Sequence, residues 1–180
     1  MRMLLLAASL VLTVSQGVRA ELPATLKADD VTLALNGSGA RTKYLMQMYV
    51  AGLYLPQPSR DAAGIIAANN PMAIRLEITS GMVTQEKLLE SLREGFHNAT
   101  NGNVSPIQHE MEQFRQCFAQ PIAKGDVFDL VYLPARGVTV LKNGQRVGAI
   151  QGLAFKQALF GIWLSNRPAD ESLRVALLGK

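Results

Sequence analysis

The sequence predicts an α+β domain with helices gathered on one face of a mainly antiparallel sheet. Two observations carry this. Strand-like segments fall in two blocks, residues 31–79 and 126–150, and amphipathic helical segments follow each block. Strands and helices therefore do not alternate one by one, as a parallel βαβ sheet requires. With 180 residues, 48% of them hydrophobic, the chain is long enough for one domain with a sizeable core. No repeat, low-complexity tract or linker divides it.

Residues 31–36 (VTLALN) alternate and stop at Gly37-Ser38-Gly39, which reads as a strand and its turn. Residues 42–55 are rich in Tyr, Val, Leu and Met and form a second strand, ended by Pro56 and Pro58. Residues 59–69 give a short helix closed by Asn70-Pro71, and residues 72–79 alternate as a half-buried strand. Thr84 caps the next helix, which sets Leu88, Leu89, Leu92 and Phe96 on one face. A second helix opens at Ser105-Pro106-Ile107-Gln108, with serine as cap and proline in the first turn; its stripe is Ile107, Met111, Phe114 and Phe118. Residues 126–134 are a strand. Residues 137–150 are two strands around Asn143-Gly144, the strongest hairpin signal in the chain. Gly152 opens a helix with Phe155, Leu159, Ile162 and Trp163 on its apolar side. A last helix runs from Pro168-Ala169-Asp170-Glu171 to near Gly179.

The amino terminus reads as a secretory signal peptide over residues 1–20. Arg2 is followed by the apolar run 4–14, too short to span a bilayer, and by Val18-Arg19-Ala20, a small-residue cleavage pattern. The mature domain is then 21–180, beginning at Glu21, and its expected location is periplasmic or secreted. Losing Arg2 and Arg19 leaves 16 basic against 14 acidic residues, a net charge of +2. These charges are scattered without a basic stripe, which argues against nucleic acid as a partner. No later segment is apolar enough for a membrane span. The single cysteine, Cys117, allows no internal disulfide and sits in an apolar helical stripe, where burial is expected.

Motifs for nucleophilic, phosphate-binding, dinucleotide or metal chemistry are missing: there is no G-x-S-x-G, P-loop, G-x-G-x-x-G between strand and helix, or H-E-x-x-H. His97 and His109 lie on separate helices with no metal-ligand spacing. No cofactor is called for. Any chemistry must come from positioning and electrostatics.

Two stretches, residues 37–55 (GSGARTKYLMQMYVAGLYL) and 137–173 (GVTVLKNGQRVGAIQGLAFKQALFGIWLSNRPADESL), together with SGMVTQEKLLESLREGF between them, resemble the bacterial chalcone isomerase-like family. The resemblance spans nearly all of the mature chain and rests on the order and spacing of the three stretches. It implies an open-faced β-sandwich of chalcone isomerase type, a curved antiparallel sheet with helices on one side and a ligand cleft between them. The family holds enzymes that close a chalcone ring and relatives that bind fatty acids. In both, an arginine leaving the first hairpin turn points into the cleft, and Arg41 matches it. The enzymes carry a threonine on the following strand where this chain has Tyr49, as the fatty-acid-binding relatives do. The enzymes' tyrosine before the main helix and asparagine within it correspond to Thr84 and Ser91. The resemblance thus implies a ligand site of Arg41, Tyr49, Thr84 and Ser91.

The residues allow two settings for Arg41. Its partner is an internal carboxylate such as Asp29, Asp30 or Glu77, or it comes from outside, since a guanidinium fork matches a carboxylate with two parallel bonds. Gly37 and Gly39 would free the turn to aim Arg41 inward. Tyr49 adds a hydrogen bond to the same ligand or is a sheet tyrosine with its hydroxyl in water. Lys43 and Arg75 read as solvent-face residues. Three functions fit: a carrier of a fatty acid or similar amphipathic carboxylate, an intramolecular lyase acting on a chalcone-like enone through Arg41, and an interaction module with a closed cleft. Replacement of the tyrosine and asparagine positions favours the carrier. Protein partners and oligomeric state are not encoded in any recognisable motif.

Overall fold

The computed structural model describes residues 22–180. The expected signal peptide and the start at Glu21 lie outside these residues. Seven strands form one antiparallel meander in chain order: β1 (Thr25–Ala28), β2 (Val31–Lys43), β3 (Met46–Leu55), β4 (Met72–Ile78), β5 (Val127–Leu133), β6 (Gly137–Lys142) and β7 (Gln145–Ile150). Helix α1 (Ala62–Ala67) links β3 to β4. Helices α2 (Gln85–Ala99) and α3 (Gln108–Gln116) link β4 to β5, and α4 (Leu153–Leu164) and α5 (Glu171–Leu177) follow β7. The sheet curls into a half-barrel with the helices on its inner face, the α+β open-faced arrangement expected.

Alternation along the strands sorts the two faces. Tyr49, Ala51, Leu53 and Leu55 of β3 point inward to the main core, with Met72, Ile74, Leu76 and Ile78 of β4. An aromatic cluster joins sheet to helices there: Phe96, Phe114, Phe118, Phe128 and Phe155 have ring centroids 5.0–5.9 Å apart, within the range of favourable edge and tilted contacts. On the outer face the β1–β2 hairpin folds back so that β1 touches β4 and β5. Leu26, Ala28 and Leu33 there cover Tyr54, Ala73 and Val131, a second and smaller core. Beside it Arg75 donates to both carboxylate oxygens of Asp129, at 2.6 and 2.9 Å. Arg75 is therefore a half-buried ion-pair residue and not a free solvent-face cation.

Helix α4 is buried almost all round, because the sheet lies beneath it and α1 and α2 pack against it. Its Lys156 is 0% exposed. The ammonium donates to the carbonyls of Ile65, Ile66 and Ala68 at 2.9, 2.9 and 2.7 Å. These are the orphan carbonyls at the end of α1, so a side chain from another helix closes that end.

The β2–β3 hairpin, the first hairpin that the sequence suggests, differs from expectation. Gly37-Ser38-Gly39 is no turn: β2 runs through it to Lys43. Neither glycine has a positive φ. They are required because α5 lies directly on β2, and a Cβ on Gly37 would collide with the Ala176 carbonyl. The turn is instead Tyr44-Leu45, with φ of 52° and 63°. Both residues are in the left-handed region, which costs a residue with a Cβ roughly 1–2 kcal/mol. Helix α3 also begins differently. Ser105 lies inside a single 3₁₀ turn (Ser105–Ile107) and caps nothing. Asn143-Gly144, by contrast, is the expected tight turn, with φ of 51° and 79°.

Candidate functional site

Arg41 lies near the end of β2, before the turn and not after it. Its Cα partner across the ladder is Tyr49 of β3, which in turn pairs with Ile78 of β4. Directly opposed residues of antiparallel strands share a face, and Tyr49 and Ile78 belong to the inner core. The sheet pleat therefore aims Arg41 inward. A bulge helps: the register shifts between Arg41 and Thr42, because Thr42 pairs with Gln47 and leaves Met48 as the extra residue.

The guanidinium stands 6.0 Å from the centre of the Tyr49 ring, and its Nη1 donates to the Ser91 hydroxyl at 2.6 Å. Ser91 is on α2, so the bond spans the mouth between sheet and helix. Among the described residues no carboxylate forms an ion pair with Arg41. Of the candidate internal partners, Asp29 pairs with Arg136, and neither Asp30 nor Glu77 forms an ion pair. The remaining N–H donors of the half-buried fork face a cleft of about 400 Å³, within the range of small-molecule sites, roughly 300–1,000 Å³. Met48, Met82, Val83, Leu88 and the Tyr49 ring supply its apolar walls. Lys43 and Lys87, with Glu90 and Glu94, supply charge.

Tyr49 is 4% exposed, so its hydroxyl is not in water. Its oxygen accepts from the Trp163 indole N–H at 2.9 Å, and among the described residues its own proton has no protein acceptor. Burial pushes the phenol's pKa up; the Arg41 charge and the Trp163 bond pull less strongly the other way. The phenol therefore stays a neutral donor at physiological pH. Tyr49→Phe is expected to lower stability by about 1–3 kcal/mol, because a buried indole N–H loses its acceptor. An unchanged thermal midpoint would show that another acceptor takes over.

Three of the four expected site residues converge: Arg41, Tyr49 and Ser91. Thr84 does not join them. It is exposed, its hydroxyl accepts from the Lys87 backbone N–H at 3.3 Å as the cap of α2, and it lies outside the cleft lining. The sequence places Trp163 only on the apolar side of its helix; a buried indole next to a strand tyrosine has no linear signature. A second groove, about 470 Å³, runs between α2 and α3 over Leu89, Leu92, Phe96, Met111 and Phe114. Its Arg115 is held by Glu112 through two hydrogen bonds, so the Arg41 cleft is the better candidate. His97 and His109 are exposed helix residues. Cys117 is buried, and burial raises its thiol pKa.

The fold and site define a curled antiparallel half-barrel with a cationic cleft between its first hairpin and its main helix. The model of the chalcone isomerase-like family matches residues 15–179, and the chain belongs to that family. Among solved structures, a fatty-acid-binding protein of Arabidopsis thaliana is similar, with a TM-score of 0.68 and 18% identity, covering 87% of this chain and 90% of that one. At that identity the likeness speaks for the fold alone. Comparison with curated proteins found no match.

Proposed function

We propose that the protein is an exported, non-catalytic binder of a fatty acid or similar amphipathic carboxylate, held in the cleft headed by Arg41. The observation that carries this is a half-buried guanidinium, fixed by Ser91, that forms no ion pair with a carboxylate among the described residues. A charge beside apolar walls is costly unless paired, and a ligand carboxylate supplies the pair. Tyr49 offers a further hydrogen bond to the same group, and the walls of Met48, Met82, Val83 and Leu88 suit an alkyl tail. The similarly folded plant protein, described as fatty-acid binding, supports the reading at family level. Mass spectrometry of small molecules released from natively purified protein tests it. A carboxylate lipid is expected, and a cleft that returns none and does not bind laurate in calorimetry rejects it.

Chalcone cyclisation is expected to run near the uncatalysed rate. Thr84 caps α2 outside the cleft, and Ser91 is shorter than the family's asparagine and already bonded to Arg41. A turnover number near the common enzyme value of about 10 s⁻¹ would establish the lyase instead. Export is tested by amino-terminal sequencing of protein from a periplasmic extract: a start at Glu21 is expected, and a start at Met1 rejects it.

A further inference from the structure

The tip of the first hairpin is built from residues that the fold does not use. Tyr44 and Leu45 occupy turn positions with positive φ, where Asn-Gly is preferred. Their side chains are 80% and 99% exposed. Met46 beside them and Met82 in the loop before α2 are exposed as well. Folded-state packing therefore gives no reason for a tyrosine and a leucine here. The charge around them has one sign along the hairpin. From Asn36 to Arg60 the chain carries Arg41, Lys43 and Arg60 and no acidic residue. The Lys43 ammonium lies 5.4 Å from the Tyr44 ring centre, and Lys87 of α2 lines the same cleft mouth as Tyr44 and Met82. The carboxylates of that lining, Glu90 and Glu94, belong to α2 and not to the hairpin.

We propose that this tip is a docking surface for a lipid bilayer bearing anionic headgroups. Leu45 and Met46 enter the acyl boundary, Tyr44 rests at headgroup level as amphipathic aromatics do, and Lys43 and Lys87 meet the phosphates with their alkyl stems against apolar surface. A narrow turn suits a fluid partner. A stable protein partner would need a broad complementary face, about 800 Å² a side, which a few side chains on a protruding hairpin do not offer. Docking stands on the tip alone. If the cleft holds a lipid, as proposed above, its mouth at Lys43, Tyr44 and Met82 would then open directly onto the membrane.

The test is co-sedimentation of the chain from Glu21 onward, which contains every strand and helix among the described residues, with vesicles of phosphatidylglycerol and phosphatidylcholine. Binding is expected to be weaker to phosphatidylcholine alone and to weaken with salt. Leu45→Asp should lower vesicle partitioning by roughly tenfold or more, the scale of losing one buried leucine. Lys43→Gln should lower it about fivefold. Leu45→Asn, which suits the turn, should lose binding with its thermal midpoint kept or raised, so a folding defect cannot mimic the result. Both Leu45 variants should bind laurate like the parent, because Leu45 is outside the cleft lining. Absence of vesicle binding by the parent, or equal binding by the Leu45 variants, overturns the proposal. So does a dimer that Leu45→Asp converts to monomer while vesicle binding is unchanged, since the tip would then join two copies of the chain.

Discussion

Arg41→Ala is expected to weaken laurate binding by about 2–4 kcal/mol, roughly 30- to 900-fold, while the thermal midpoint stays close to that of the parent. The two halves of this result come from the same geometry. In the complex, the ligand carboxylate would lose the guanidinium paired with it inside a cleft with apolar walls. In the free protein, Arg41 gives up one bond to Ser91 and a contact with the Tyr49 ring. Removing a half-buried unpaired charge offsets that loss. Arg41→Lys should restore only part of the affinity, because an ammonium cannot form the planar fork. Calorimetry reads the affinity and thermal denaturation reads the stability. A large loss of stability with unchanged laurate affinity would reject the carrier reading and make Arg41 a scaffold residue bridging β2 to α2.

Lys156→Met should destabilise the fold by about 2–4 kcal/mol. The carbonyls of Ile65, Ile66 and Ala68 lose their donor, and each stranded buried acceptor costs about 1–3 kcal/mol. Against this, the variant no longer buries an ammonium. Burial lowers the Lys156 pKa to about 8, which bounds that gain at roughly 3 kcal/mol below pH 8. The carbonyls win because there are three of them. The sign of the pH dependence follows from the same shift. Between about pH 8 and the unfolded value near 10.4 the unfolded chain holds more protons at this position than the folded one. This group's contribution to stability therefore rises with pH across that window. The rise should be present in the parent and missing from Lys156→Met in denaturant titrations at pH 8 and pH 10. If the variant is more stable than the parent, the charge outweighs the cap.

Much of the sheet is legible from its strand-forming runs and from period-two alternation, which is clear in β4, where Met72, Ile74, Leu76 and Ile78 face the main core. Asn143-Gly144 marks its own turn by chemistry. The first hairpin is illegible for two opposite reasons. Gly37-Ser38-Gly39 has turn composition, yet its glycines serve the close approach of α5. Tyr44-Leu45 is the turn, yet its composition is that of a strand. Strand β1 is only TLKA, too short for a pattern to show. At the site, Arg41 stands out as a charge beside apolar strands. That it faces Tyr49 depends on the bulge at Met48, and Ser91 reaches it only through the docking of α2. Thr84 and Ser91 are seven positions apart on one segment, and only the three-dimensional path of α2 separates cap from cleft. Lys156 carries no signature in the sequence, and its role shows only once α1 is placed beside α4.

Trp163 is the only tryptophan of the chain, 1% exposed, and its indole N–H ends on the Tyr49 oxygen. If the cleft takes a carboxylate as proposed, a hydrogen bond donated to it by the phenol would change the electron density on that oxygen, and the indole is the next group in line. On that reading the protein would carry an intrinsic optical gauge of its own cleft. Emission from this one fixed chromophore would then report filling and emptying in real time, without a dye whose size would compete for the space being measured.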